Sequence, residues 1–190
     1  MNALGILFKL LKPPEDYYLP PWFNLQNNVF LRSLEPEISK SSNHNPIIFK
    51  DLIERHFSNT TTLFTDGSLQ KGGASMLNST KKQKYKWKLE PHHSILSPEL
   101  FAIQKASKLS SGHKDPVVIF TDSQANLALI SKHQPKTYKQ TVYAIQNSLI
   151  KAKAKNNLHL VPGHCGIKEN DTADLLAKEA AQSSSNIFSH

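Results

Sequence analysis

The chain has 190 residues, 38% of them hydrophobic and 20% charged, which allows one well-buried core and is too short for two large domains. Its one cysteine, Cys165, excludes an internal disulfide and any metal cluster built from thiolates alone, and it fits a reducing compartment. The net charge of +8 points to a partner of negative charge, nucleic acid first.

That charge is unevenly placed. Residues 1–57 hold six Lys/Arg and six Asp/Glu, which leaves residues 58–190 with seventeen of the 23 basic and nine of the 15 acidic side chains. All of the surplus therefore lies in the second part of the chain. Nothing approaches the run of about eighteen apolar residues that a membrane span needs, so no membrane partner is expected. A basic leader with a small-residue cleavage site is also missing, which argues against secretion.

The early residues read as a connector. Pro13, Pro14, Pro20, Pro21, Pro36 and Pro46, with the polar run from Ser39 to Asn45, favour neither a long helix nor a sheet over residues 13–46. In the following IIFKDLIERHF, residues 47–57, Ile48, Leu52, Ile53 and Phe57 share one stripe of a short amphipathic helix. The organisation expected is a connector over 1–57, a folded domain over 58–182 and a disordered serine-rich tail over 183–190.

Within the folded part, TTTLFTD is a strand ending at Asp66-Gly67-Ser68, and GGASML, near residues 72–77, is a second strand across a tight turn. From Lys84 to Leu89 the pattern alternates, with Tyr85, Trp87 and Leu89 on one face and three lysines on the other. That is a half-buried antiparallel strand whose lysines either guard an edge or meet phosphates. Ser97-Pro98-Glu99 opens a helix with a serine at the cap, proline in the first turn and a carboxylate at the positive dipole end. Glu99, Ile103 and Ala106 share one stripe, so Glu99 lies on the face turned to the sheet, a poor place for an unpaired charge.

Val117 to Thr121 is the continuous apolar run of a buried parallel strand, and it stops at Asp122-Ser123-Gln124. About fifty residues separate LFTDGS from IFTDSQ, enough for two antiparallel strands and a crossover helix. The repeated phrase then belongs to neighbouring parallel strands that deliver Asp66 and Asp122 to one sheet edge. Two such carboxylates raise each other's pKa unless a cation lies between them, and Mg²⁺ prefers oxygen ligands of this kind. Further on, a helix is expected over Lys136 to Lys155 and a strand over Leu158 to Val161. They are followed by the loop Pro162-Gly163-His164-Cys165-Gly166 and a helix in ENDTADLLAKEAA with Asp174 in its early turns.

Taken in order, LFTDGS, SPELFAI, IFTDSQ and VPGHCGIKENDTADLLAKEA resemble the type 1 ribonuclease H domain, most closely the one at the C-terminus of arthropod non-LTR retrotransposon polyproteins. The resemblance spans about residues 60 to 182. It implies an α/β, ribonuclease H-like fold with a five-stranded mixed sheet flanked by helices. It further implies that Asp66, Glu99, Asp122 and Asp174 bind two Mg²⁺ ions, with Mn²⁺ as an alternative. His164 would be the mobile loop histidine that assists proton transfer or product release, and Gly67, Ser68 and Gln124 would touch the substrate backbone and minor groove. The implied activity is two-metal endonucleolytic hydrolysis of the RNA strand of an RNA–DNA hybrid, by a monomer inside the cell, with nucleus and cytoplasm left open. Family members of this kind follow a reverse transcriptase, whose active-site motif is missing from this chain, so a fragment or domesticated copy of such a polyprotein is expected. Two readings follow, an active hybrid ribonuclease and a catalytically silent module that binds nucleic acid without cutting it.

Overall fold

The computed structural model describes residues 30–33, 44–68, 72–89, 97–152 and 157–183. The expectations for the rest of the connector and for the tail beyond residue 183 lie outside the described residues. In chain order the elements are β1 (Phe30–Ser33), α1 (Asn45–Phe57), β2 (Thr61–Ser68), β3 (Gly73–Asn78), β4 (Gln83–Lys88), α2 (Pro98–Ser111), β5 (Val117–Thr121), α3 (Gln124–Ile130), α4 (Lys139–Lys151), β6 (Asn157–Leu160) and α5 (Lys168–Gln182). None of the described helices is long and apolar enough to cross a membrane.

The strands form one sheet in the order β1-β6-β5-β2-β3-β4. β2, β5 and β6 run parallel, while β3 and β4 return antiparallel beside β2, which makes the expected five-stranded mixed sheet. β1 extends it by a sixth strand, parallel to β6. This strand was not expected, because FLRS is too short to show a period of two and sits among prolines and polar runs that mask it.

Strand alternation gives the sheet two apolar faces, and each is covered by helices. On one, Leu63, Met76, Ile119 and Leu158 meet Leu100, Ile103 and Ala106 of α2 and Val142, Ile145 and Leu149 of α4. On the other, Phe64, Leu77, Val118 and Phe120 meet Phe49, Leu52 and Phe57 of α1 and Ala173 of α5. Ring packing dominates this second face. Phe64 stacks on Phe120 at 4.9 Å, and Phe49 and Phe57 stand edge-on to Phe120 at 5.4 and 5.8 Å. The stripe of α1 is thus turned from the one expected: Phe49 is buried, whereas Ile48 and Ile53 are only partly covered.

β4 shows the expected alternation. Tyr85 and Trp87 stack at 6.1 Å, and Trp87 stands edge-on to Phe101 of α2. Two of its lysines dock α5: Lys86 Nζ lies 3.1 Å from Glu179 Oε2, and Lys88 donates to the Ala181 carbonyl near the helix C-terminus. A lysine at that helix end meets the negative pole of the dipole. α4 is shorter at both ends than expected, Lys139–Lys151, with Val142, Ile145 and Leu149 buried as the stripe required.

Candidate active site

The repeated phrase is aligned in space as it is in sequence. Leu63, Phe64 and Thr65 of β2 lie opposite Ile119, Phe120 and Thr121 of β5, so Asp66 and Asp122 come next, side by side, at one edge of the sheet. Thr65 Oγ1 donates to the Phe120 carbonyl at 3.2 Å and ties the two strands one residue below the aspartates. β2 ends within the expected Asp66-Gly67-Ser68, running through Asp66 to Ser68 in register with β3.

Glu99 reaches this edge from the first turn of α2. Ser97 takes the cap position but makes no side-chain cap bond, so the start of the helix is set by Pro98 and by contact with β2. A Cβ on Gly67 would fall 2.2 Å from the Glu99 backbone nitrogen, so only glycine lets the strand approach the helix there. The Glu99 carboxylate is held by two neighbours. Ser123 Oγ donates to Glu99 Oε2 at 2.6 Å, Asn126 Nδ2 donates to the same oxygen at 2.9 Å, and Asn126 also donates to Ser123 Oγ at 2.8 Å.

α5 and the loop before it close the other side. A Cβ on Gly163 would sit 2.8 Å from Asp122 Oδ2, which places the Pro162-Gly163-His164 turn directly against that carboxylate. Cys165 and Ile167 bury themselves in the face covered by α1, leaving His164 exposed at φ +56°, a left-handed conformation uncommon outside glycine that histidine tolerates better than most residues. On α5, Asn170, Asp174 and Lys178 follow one another at four-residue steps and share a stripe. The Asn170 amide donates to Asp122, and Lys178 Nζ lies 2.6 Å from Asp174 Oδ2. Ser68 ends β2 and Gln124 begins α3, exposed, on the same rim as the aspartates.

The electrostatics show that these groups act on one another. Burial, and then the charges of Asp122, Asp174 and Glu99, push the Asp66 carboxyl up to about 7, against a smaller opposing pull from the Gly67 N–H. Burial also raises Asp122, while the Asn170 amide and His164 work against the rise. Like charges that lift the Asp66 and Asp122 carboxyls in this way are what a divalent cation relieves, and all four carboxylates are hard oxygen donors suited to Mg²⁺ or Mn²⁺. The buried Asn170 Oδ1 adds an oxygen with no hydrogen-bond partner among the described residues. In kind and charge the set fits such an ion. Among the described residues, however, no three Asp, Glu, His or Cys side chains already converge on one ion-sized point.

Sequence reasoning missed Ser123, Asn126, Asn170 and Lys178. For the last two a signal was available, since both lie four residues from Asp174 on a helix. Ser123 and Asn126 carried none, because their contact with Glu99 joins two helices that only the fold brings together.

Comparison with known proteins agrees with this architecture. Residues 58–182 match the RNase H family. Among solved structures, the foamy viral protease-reverse transcriptase in complex with an RNA/DNA hybrid is similar in fold, with a TM-score of 0.56 and 17% identity over 65% of this chain. The match takes in 20% of that viral chain. No curated protein matches. With about two thirds of its length matching the family, and with the mixed sheet and flanking helices in place, the chain belongs to the RNase H family.

Proposed function

We propose that the protein is a ribonuclease that cuts the RNA strand of RNA–DNA hybrids, with Asp66, Glu99, Asp122 and Asp174 as the ligands of two divalent cations. The single observation that carries this reading is the register of β2 on β5, which sets Asp66 beside Asp122 within the electrostatic reach of Glu99 and Asp174. When bound, Mg²⁺ would lower the pKa of an attacking water and stabilise the leaving 3′ oxygen. The chain's own residues divide the remaining work. Asp66, in β2, and Asp122, just past the adjacent β5, fix the spacing of the ligand oxygens, and Ser123 and Asn126 hold Glu99 in one orientation. His164, exposed beside Asp122, is positioned to pass a proton to or from the product. Gly67, Ser68 and Gln124, on the same rim, would meet the hybrid's backbone and minor groove, where 2′-hydroxyls distinguish RNA from DNA. The basic surplus of residues 58–190 supplies salt-sensitive affinity.

A retroelement origin, in a polyprotein with a reverse transcriptase, is supported by the similarity to the viral chain, of which this fold makes up a fifth. The second reading is a silent module that binds the hybrid without cutting it. Incubation of the purified protein with labelled RNA–DNA, RNA–RNA and DNA–DNA duplexes in Mg²⁺ or Mn²⁺ separates the two. Scission of the hybrid's RNA strand alone supports the enzyme. Binding of the hybrid without scission in either metal supports the silent module.

A further inference from the structure

Lys178 belongs to no expected part of the site, yet it sits on it. Its ammonium lies 2.6 Å from Asp174 Oδ2, and it also acts electrostatically on Asp66. The Asp174 side chain is 25% exposed and that of Lys178 55%, so the pair stands at the solvent side of the carboxylate group. The cause is local and rigid. Asp174 and Lys178 are one helical turn apart on α5, and the helix is anchored at both ends of this region: Ser75 of β3 donates to the Ala173 carbonyl at 2.6 Å, and Lys86 of β4 pairs with Glu179. The lysine therefore cannot leave Asp174 by a shift of the helix. It can leave only by swinging its own side chain into solvent.

The functional reading gives this pair a consequence. An oxygen of Asp174 cannot be in contact with an ammonium and with a divalent ion at once without bringing two cations together. Among the described residues no lysine forms an ion pair with Asp66 or Asp122: Asn170 donates to the second, and Lys178 reaches the first only through its charge. We propose that Lys178 is a resident cation of the metal-free site, whose ammonium competes with the divalent ion that uses Asp174, so that the two ions bind with unequal affinity. The inference rests on the reading of these carboxylates as cation ligands and deepens it. In the resting protein the lysine offsets part of the repulsion within the group, and binding of the weaker ion is coupled to its release.

The test is Mn²⁺ binding to the full chain without nucleic acid, followed by titration calorimetry and by the electron paramagnetic resonance signal of free Mn²⁺. The wild type is compared with Lys178→Met, Lys178→Gln and Lys178→Arg. Lys50→Gln serves as a control, since it removes the same charge from an exposed pair with Glu54 on α1. The expected result is that the weaker Mn²⁺ binds roughly two- to fivefold more tightly in both neutral variants, the range an exposed ion pair can supply. Lys178→Arg and Lys50→Gln should stay at the wild-type value. Unchanged or weaker binding in Lys178→Met and Lys178→Gln overturns the competition, as does an equal gain in Lys50→Gln, which would make the effect one of net charge. Failure of every protein, wild type included, to bind Mn²⁺ overturns the cation-ligand reading itself and the inference with it.

Discussion

Replacing Asp66 by asparagine should stabilise the metal-free protein, and increasingly so as pH rises. Burial first, and then Asp122, Asp174 and Glu99, lift the carboxyl from 3.8 to about 7. A carboxyl whose folded-state pKa is raised adds nothing unfavourable below about pH 4, where both states keep the proton. Above that, the unfolded chain ionises while the folded chain does not, and stability drains away until the folded carboxyl also ionises near pH 7. At about 1.36 kcal/mol per pH unit, the whole shift corresponds to roughly 4 kcal/mol as an upper bound. Asparagine has nearly the same shape and no charge, so its advantage over the wild type should grow by about 3 kcal/mol between about pH 4.5 and about pH 8. Urea unfolding of both proteins in chelator, followed by circular dichroism at each pH, measures the difference directly. Added Mg²⁺ should then raise the wild-type midpoint at high pH more than the variant's. A difference that stays flat across the pH range would refute the claim that Asp66 is buried among like charges.

Two further outcomes follow from contacts on either side of the sheet. Phe49→Ala removes the ring that α1 sets edge-on to Phe64 and Phe120, and should cost about 3–5 kcal/mol in denaturant unfolding; a loss below about 1 kcal/mol would mean that α1 does not share the core. Asn126→Ala takes one of two hydrogen bonds from Glu99 Oε2, and should lower kcat on hybrid about tenfold while KM for the hybrid stays the same. An unchanged kcat would show that Ser123 alone suffices to orient the glutamate.

The parts of the fold legible in the sequence are those in which one local period carries the message. The run VVIFT with its abrupt aspartate, the alternation of the β4 strand and the Val142, Ile145, Leu149 stripe each announced an element and its buried face. The repeated FTD phrase did more. Its register in the sheet, Phe64 on Phe120 and Thr65 on Thr121, is the alignment that the two sequences suggest when written one above the other. What stayed hidden depends on tertiary context. FLRS is a strand only because β6 offers it a parallel edge, and Phe49 displaces Ile48 and Ile53 from the core because the rings of Phe64 and Phe120 are waiting for it. Glu99 was recognisable as a carboxylate on an inward stripe, but its partners Ser123 and Asn126 come from a different helix and become neighbours only through the crossover. Lys178 was visible as the residue one turn beyond Asp174, a spacing that in most helices signals nothing more than a solvated ion pair.

The measurement that tests the central claim most directly is strand-resolved cleavage of a labelled RNA–DNA hybrid in Mg²⁺ by the wild type and by Asp122→Asn, with hybrid binding measured alongside. Asp122 stands just past β5 with Gly163 against its carboxylate, so the substitution alters charge at the proposed centre and little else. The account predicts that both proteins bind the hybrid, that the wild type cuts its RNA strand, and that the variant leaves it intact. Equal cleavage by the two proteins, or a wild type that binds the hybrid and cuts it with neither Mg²⁺ nor Mn²⁺, would contradict it.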